Sequence, residues 1–355
     1  MALPTVAEDA PLSSPTSNAN LDPVKYYGEL LTDGEALPAP VAAVETLAEL
    51  VSRSDSSTIQ ELLALLRSAS TDIAASSFNP ISAQAGTALF MRYLTLQRPP
   101  PEMSFKEFKE ELVERAREFV RGSGRCRDLI SQHMSDFIRD GSTILVHSYS
   151  RVVVQALLFA AQTQKKKFSV YVTESRPFGL GLKTHAILQE AGIPCVVVLD
   201  SAVAYIMSRC DMAVVGAEAV CESGGLVNFI GGYQMAIAAK ALNKPLYALA
   251  ESFKFTRLFP LSQTDLPSSL PAAPLTFPAP NDPATAMSND IPPTPVRPMI
   301  DSQVPEALEM SDAATRHNPL LDYTTPEMIS LIVSDLGILQ TSGISDALLS
   351  TFGGE

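Results

Sequence analysis

The stretch TILVHSYSRVVVQALL, Thr143–Leu158, decides the fold. A short, mostly β-branched apolar run ends in a hydroxyl-rich loop, His147-Ser148-Tyr149-Ser150, and from Arg151 the apolar spacing becomes helical. Read outward, the same change of period recurs. Strand-like runs lie at Phe168–Thr173, Cys195–Leu199, Met212–Gly216 and Pro245–Ala250, and helical spacing covers Arg151–Gln164, Gly179–Ala191, Ala202–Arg209 and Tyr233–Leu242. Strands alternating with helices predict a mostly parallel sheet covered on both faces. The near-continuous Val, Ile and Leu of the runs suit strands buried on two sides.

Residues 23–124 carry helical spacing instead. Ser57-x-x-Gln60 and Ser104-x-x-Glu107 read as capping boxes opening amphipathic helices, and Glu111 and Arg115 can pair one turn apart. The expected fold is α/β: an N-terminal helical domain (23–124) followed by a Rossmann-like, mostly parallel sheet domain (125–355). A disordered tail is expected over 1–22. A disordered surface insertion is expected over 260–316, because residues 260–305 hold 12 of the 27 prolines. Order is expected to return at Asn318, with Thr325 capping a last helix, Pro326–Leu336.

Composition narrows the function. The 355 residues are 46% hydrophobic, enough for a sizeable core, and 26 basic against 39 acidic residues give a formal charge of −13. That balance argues against direct nucleic-acid binding, which needs a basic surface. The N-terminal residues lack the charged and apolar regions of a signal peptide, and no apolar stretch is long enough to span a membrane, so a cytosolic protein is expected. Cys126, Cys195, Cys210 and Cys221 show no metal spacing and read as reduced thiols. His133, His147, His185 and His317 form no paired motif, so no metal or cofactor is expected. Lys165-Lys166-Lys167 reads as a solvated helix end, where cations suit the dipole.

In an open α/β sheet, ligands bind at the carboxyl ends of strands against helix N-termini. Four strand ends carry suitable groups: His147-Ser148-Tyr149-Ser150-Arg151, Glu174-Ser175-Arg176-Pro177-Phe178-Gly179, Gly216-Ala217-Glu218, and a glycine loop from Gly224 through Asn228 to Gly231 and Gly232. Arg176 is the expected main anion partner, since guanidinium suits bidentate phosphate binding. Blander readings stand beside these. Ser148–Ser150 also fit a helix cap, Arg176 a salt bridge with Glu174 or Glu218, Glu218 a solvated or paired carboxylate, and the glycines plain turns.

In order and spacing, Val146–Ser150, Glu174–Pro177, Asp211–Val220, Gly231–Tyr233 and Asn318–Thr324 resemble the family of initiation factor 2B regulatory subunits and related sugar-phosphate isomerases. The resemblance runs from about Leu21 to the C-terminus, apart from the proline-rich segment. Phe253-Lys254-Phe255 and the short helical domain look most like the family's alpha branch. Its isomerases use a cysteine at the first strand end and an aspartate in a Gly-Ala-Asp turn, and Ser148 and Glu218 stand in those places here. The resemblance therefore implies a non-catalytic regulatory subunit of the guanine-nucleotide exchange factor for initiation factor 2, with an active aldose–ketose isomerase as the alternative. It implies a homodimer through the α/β domain. The implied partners are the beta and delta regulatory subunits, the gamma and epsilon catalytic subunits, and the phosphorylated alpha subunit of initiation factor 2, which would face the helical domain. It also implies a relict pocket for a sugar phosphate or nucleotide monophosphate, formed by His147, Ser148, Tyr149, Ser150, Arg151, Arg176, Gly179, Lys183, Glu218, Asn228, Gly231, Gly232 and Lys254. The dense apolar residues Ile329, Leu331, Ile332, Leu336, Ile338, Leu339, Leu348 and Leu349 fit either the dimer contact or packing on the chain's own sheet.

Overall fold

Helix starts in the N-terminal layer follow local cap chemistry. The computed structural model describes residues 21–32, 37–77, 79–97, 102–266 and 318–353. Its first five helices are α1 (Pro23–Thr32), α2 (Ala39–Arg53), α3 (Ile59–Ser76), α4 (Pro80–Leu96) and α5 (Phe105–Ser135). Proline stands in the first turn of α2 and α4, where its missing N–H costs nothing. Ser104 and Glu107 form the expected capping box on α5, and Glu111 meets Arg115 at 2.7 Å. The start of α3 is corrected by one residue. Thr58, not Ser57, accepts the Glu61 N–H, while the Glu61 carboxylate takes the Ser57 N–H and hydroxyl at 2.8 and 3.0 Å. The carboxylate at 61, rather than the amide of Gln60, sets the frame.

Leu47, Leu62, Leu66, Ile73, Phe90 and Leu112 are buried together between these helices. A Cβ on Gly86 of α4 would lie 2.1 Å from the Pro40 carbonyl oxygen, so α2 and α4 touch backbone to backbone. Helix α5 crosses the expected boundary at 124/125. Phe108 and Leu112 pack in the helical layer, and Ile130 and Met134 pack beneath the sheet.

The remaining elements follow in chain order: β1 (Thr143–Val146), α6 (Arg151–Leu158), β2 (Ser169–Thr173), α7 (Leu180–Glu190), β3 (Cys195–Val198), α8 (Val203–Met207), β4 (Met212–Val215), β5 (Ala219–Cys221), β6 (Leu226–Phe229), α9 (Gly232–Ala241), β7 (Leu246–Leu249), β8 (Phe255–Thr256), β9 (Leu321–Thr324), β10 (Leu331–Ser334), β11 (Gly337–Leu339) and α10 (Ile344–Gly353). Seven strands form one sheet in the order β11-β10-β7-β4-β1-β2-β3, parallel except for β11. The chain runs outward from β1 to β3, then returns to start β4 on the other side of β1. The carboxyl ends of β1 and β4 therefore flank the switch point where such sheets bind ligands. This is the expected helical layer and Rossmann-like sheet.

A second sheet, β8-β5-β6-β9, was not expected. Within the glycine loop read from Gly224 to Gly232, Leu226–Phe229 is a strand, paired with β5 and β9. The helix expected over Pro326–Leu336 is also corrected. Pro326–Met328 is a single 3-10 turn, and β10 then pairs in parallel with β7 and turns back into β11. A short apolar run has no decisive period, and the open edge of β7 selected strand. Ile329, Ile332 and Leu348 are buried in the chain's own core and Leu339 packs against it, so much of this segment covers its own sheet.

In the cation run Lys165 and Lys167 are exposed, as expected, whereas the Lys166 ammonium donates to the Ser135 carbonyl at the end of α5. The expected insertion begins later than residue 260. Residues 260–266 are described, and the Gln263 amide pairs with the Tyr323 backbone N–H and C=O at 2.8 and 2.5 Å, continuing the ladder beside β9. The rest of that segment, and residues 1–20 of the expected tail, lie outside the described residues. Among the described residues no helix is long and apolar enough to cross a membrane, and no cluster of His, Cys, Asp and Glu could hold a metal ion.

Candidate functional site

A cavity of about 410 Å³ opens at the switch point. Nine of the thirteen expected residues line it: His147, Ser148, Tyr149, Ser150 and Arg151 after β1, Lys183 on α7, Glu218 after β4, Asn228 on β6, and Lys254 after β7. Arg176, Gly179, Gly231 and Gly232 do not line it. The helical layer supplies a wall that the sequence reading did not assign: Leu31, Leu37, Pro38, Ala39, Pro40 and Ser82.

The loop after β1 is held from below. His147 is fully buried. Its Nε2–H donates to the Phe229 carbonyl at 3.2 Å, and its Nδ1 accepts from the Thr173 hydroxyl at 3.0 Å. That hydroxyl in turn accepts the Ser148 N–H. Burial pulls the imidazole pKa down, against the opposing pull of Asp200 and the Phe229 carbonyl, so the ring stays neutral with both nitrogens engaged. His147 thus positions the loop and has no free nitrogen for a ligand. Ser148 sits in the left-handed region at φ 59°, fixed from the other side by the Thr184 hydroxyl on its carbonyl at 2.8 Å. Its Oγ is buried without a hydrogen-bond partner at the cavity wall. An orphaned buried hydroxyl is a standing cost, and a ligand atom can remove it.

The first turn of α6 also faces the cavity. Ser150 is its N-cap residue, yet its side chain makes no cap bond, so the helix-cap reading of the Ser148–Ser150 hydroxyls does not hold there. A Cβ on Gly216 would lie 2.2 Å from the Ser150 Oγ, so glycine is what lets the end of β4 approach this loop. The fourth strand end differs. The N–H groups of Gly231 and Tyr233 at the start of α9 already donate to the Asp322 carboxylate of β9, at 2.8 and 3.0 Å. The anion site expected at Gly231 and Gly232 is filled by the chain's own side chain. Burial lifts the Asp322 carboxyl to about 7, although the helix-start N–H groups pull the other way.

Cations at the cavity are Arg151, Lys183 and Lys254. Lys183 lies over the Tyr149 ring, 4.3 Å from its centroid. The Lys254 ammonium forms an ion pair with the buried Glu251 carboxylate and donates to the Ala217 carbonyl, both at 2.9 Å. Glu251 remains ionised: burial opposes its charge, but Lys254 and, at 3.8 Å, Arg127 hold its pKa down. Arg151 has its pKa lowered by burial and by Arg127. Arg176, the expected main anion partner, is exposed and outside the cavity. Its N–H and that of Ser175 donate to Asp200 at 2.7 and 2.9 Å, which turns the loop after β2 away.

Two carboxyl-side residues complete the arrangement. Glu218 is fixed by its N–H on the Val227 carbonyl at 2.9 Å and receives the Asn79 amide N–H on Oε2 at 2.8 Å. Asn228 donates to the Gly216 carbonyl at 2.9 Å and steadies the same turn. Asp322 and Asn79 are the residues that sequence reasoning missed. Asp322 was visible only as part of a quoted motif, and the Asn79-Pro80 pair signals nothing beyond a helix start. Together the cavity offers three cations, the first turn of α6, a hydroxyl and a carboxylate, a set suited to a phosphate carrying hydroxyl groups.

Comparison with known proteins places the chain in a family. Residues 33–341 match the family described as Initiation factor 2 subunit family. The chain is 38% identical over 330 residues to a Dictyostelium discoideum protein named Translation initiation factor eIF2B subunit alpha, covering 93% of this chain and 96% of that one. It is 30% identical to the Caenorhabditis elegans protein of the same name, covering 92% and 97%. Likeness to a Ribose 1,5-bisphosphate isomerase of Methanocaldococcus jannaschii is 37% but spans 147 residues, 41% of this chain and 47% of that one. The fold resembles a chain in the crystal structure of the tetrameric eIF2B-beta2-delta2 complex from C. thermophilum, with a TM-score of 0.65 at 18% identity over 92% and 93% of the two chains. The chain belongs to the Initiation factor 2 subunit family.

Proposed function

We propose that this chain is the alpha-type regulatory subunit of the guanine-nucleotide exchange factor for initiation factor 2, working in the cytosol as a non-catalytic homodimer. It joins the beta and delta regulatory subunits and the gamma and epsilon catalytic subunits, and its helical layer takes part in sensing the phosphorylated alpha subunit of initiation factor 2. The observation that carries this reading is the likeness to two proteins named as alpha subunits over 92–93% of this chain at 30–38% identity, against isomerase likenesses that cover 41% of it at 37% identity or 68% of it at 28%.

The chemistry of the cavity supports binding without turnover. A serine hydroxyl exchanges protons poorly near neutrality, and His147, with both ring nitrogens engaged, is no base for Ser148. The cavity holds a sugar phosphate or nucleotide monophosphate, with Arg151 and Lys183 on the phosphate and Glu218 on a hydroxyl. The homodimer forms through the α/β domain. Val196, Leu199 and Tyr205 along the β3 edge and α8, and Leu336, Ile338 and Leu349 near the C-terminus, are among the exposed apolar side chains of that domain that can make the contact.

The test is reconstitution with the other four subunits. The chain co-elutes with them and makes nucleotide exchange sensitive to phosphorylated initiation factor 2. Failure of both sinks the reading. Turnover of ribose 1,5-bisphosphate, lost on Glu218→Gln, would instead establish the isomerase alternative.

A further inference from the structure

We infer that Asn79 is a positioning residue for the cavity carboxylate, setting the orientation in which Glu218 meets a ligand and tying the helical layer to the filled site. The inference rests on reading the cavity as a site for a phosphorylated small molecule. Asn79 and Glu218 are 139 residues apart and belong to different layers, one at the start of α4 and the other in the turn between β4 and β5.

The Asn79 amide is used at both ends. Its oxygen accepts the Ser82 N–H at 3.3 Å and caps α4, and its nitrogen donates to Glu218 Oε2 at 2.8 Å. The two partners fix which way the amide points, because the N–H needs an acceptor and the carboxylate needs a donor. Capping alone asks only for the acceptor, and Asp or Ser would serve equally well. The donor half is surplus to the cap, and among the described residues it goes to the carboxylate of the cavity. Asn79 is itself buried, at 8% exposure, and Glu218 is half-buried at the cavity wall.

The surroundings reinforce the arrangement. The backbone of the Glu218 turn is already fixed by Val227 and by Lys254 on Ala217. The remaining freedom of Glu218 is the rotation of its side chain, which Asn79 removes. With Oε2 engaged, Oε1 is the oxygen left for a ligand hydroxyl. The buried Tyr27 hydroxyl of α1 has its pKa raised, first by burial and also by the Glu218 charge, so this carboxylate is felt by a second helix of the same layer. A ligand that binds Glu218 in this orientation also favours the seated helical layer, so filling the cavity and seating that layer are thermodynamically linked.

Calorimetry on the full-length protein with ribose 5-phosphate and with AMP tests this, using wild type, Asn79→Ser, Glu218→Ala and the double variant. Serine keeps a cap acceptor but cannot reach Glu218. Asn79→Ser is expected to keep wild-type helicity and a melting temperature within about 3 °C, yet to bind about 10-fold or more weakly, as misplaced groups do. On the Glu218→Ala background, where no acceptor is left for the Asn79 amide, the same change should have no further effect, which a merely structural residue would not produce. If Asn79→Ser does not fold, Asn79→Asp, which also caps but repels Glu218, is expected to show a larger loss. Wild-type affinity in the folded Asn79 variant, or losses that simply add in the double variant, would overturn the role of Asn79 and leave the cavity reading standing. A wild type that binds neither probe overturns both.

Discussion

Asp322 should make the stability of this protein fall as pH rises across neutrality. Its carboxylate is buried at the start of α9, with Oδ2 accepting two backbone N–H groups and Oδ1 left without a partner. Burial raises its pKa from 3.8 to about 7. A shift of about 3 units corresponds to roughly 4 kcal/mol between protonation states. The sign follows from linkage: the folded state holds the proton more tightly, so the stabilisation is fully present below about 3.8 and is lost as pH rises through about 7. Between pH 5 and pH 8 the loss attributable to this one group comes to roughly 2.5 kcal/mol.

Asp322→Asn removes the titration while nearly preserving shape. Urea unfolding of both proteins at several pH values between 5 and 8 gives the comparison. The variant carries its own constant offset, from an amide that meets the unpartnered Oδ1 site, but the difference between the two proteins should change by about 2–3 kcal/mol across that range. A difference independent of pH would refute the reasoning. It would mean that the two N–H bonds and the helix dipole outweigh burial and keep Asp322 ionised throughout.

Ser148→Ala should raise the stability of the ligand-free protein by about 1–2 kcal/mol, by deleting an orphaned buried hydroxyl, while weakening ribose 5-phosphate binding; a stability loss in thermal unfolding would show that Oγ is satisfied. Arg151→Ala should lower affinity for the same ligand by about 10- to 150-fold, whereas Arg176→Ala should leave it within about twofold, and calorimetry giving the reverse order would return the anion site to the loop after β2. Lys254→Met should cost about 3–5 kcal/mol at neutral pH by leaving Glu251 buried without its main partner. Because the folded-state pKa of Glu251 is lowered, the stability from this pairing is present above its ordinary range and lost as pH falls, so the gap between wild type and variant should narrow in acid. Gly86→Ala should destabilise by about 1–3 kcal/mol or more, since the new methyl meets the Pro40 carbonyl and the two helices must separate; an unchanged melting temperature would refute that contact.

The sequence by itself determined those features that depend on a few neighbouring residues. The alternation of strand and helix from Thr143 to Ala250, the capping box at Ser104 and the helical character of residues 23–96 all rest on period and local hydrogen bonding, and the structure has them. The switch point was legible too, because a loop such as His147–Arg151 between a buried strand and a helix can point only to the carboxyl edge of the sheet. Tertiary structure alone decided the rest, and in each case a distant partner made the choice. β10 is a strand because β7 offered an open edge, and Leu226–Phe229 became one because β5 and β9 lie on either side of it. The helix start at Gly231 and Gly232 is taken by Asp322, some 90 residues away, whose carboxylate accepts the N–H groups there. Arg176 faces outward because Asp200 holds its backbone. Asn79 reads locally as nothing more than a cap, and its second hydrogen bond exists only because folding brings Glu218 within 2.8 Å. Period and capping act over a few residues of chain, whereas competition for a donor, an acceptor or a strand edge is settled in space, where sequence separation carries no information.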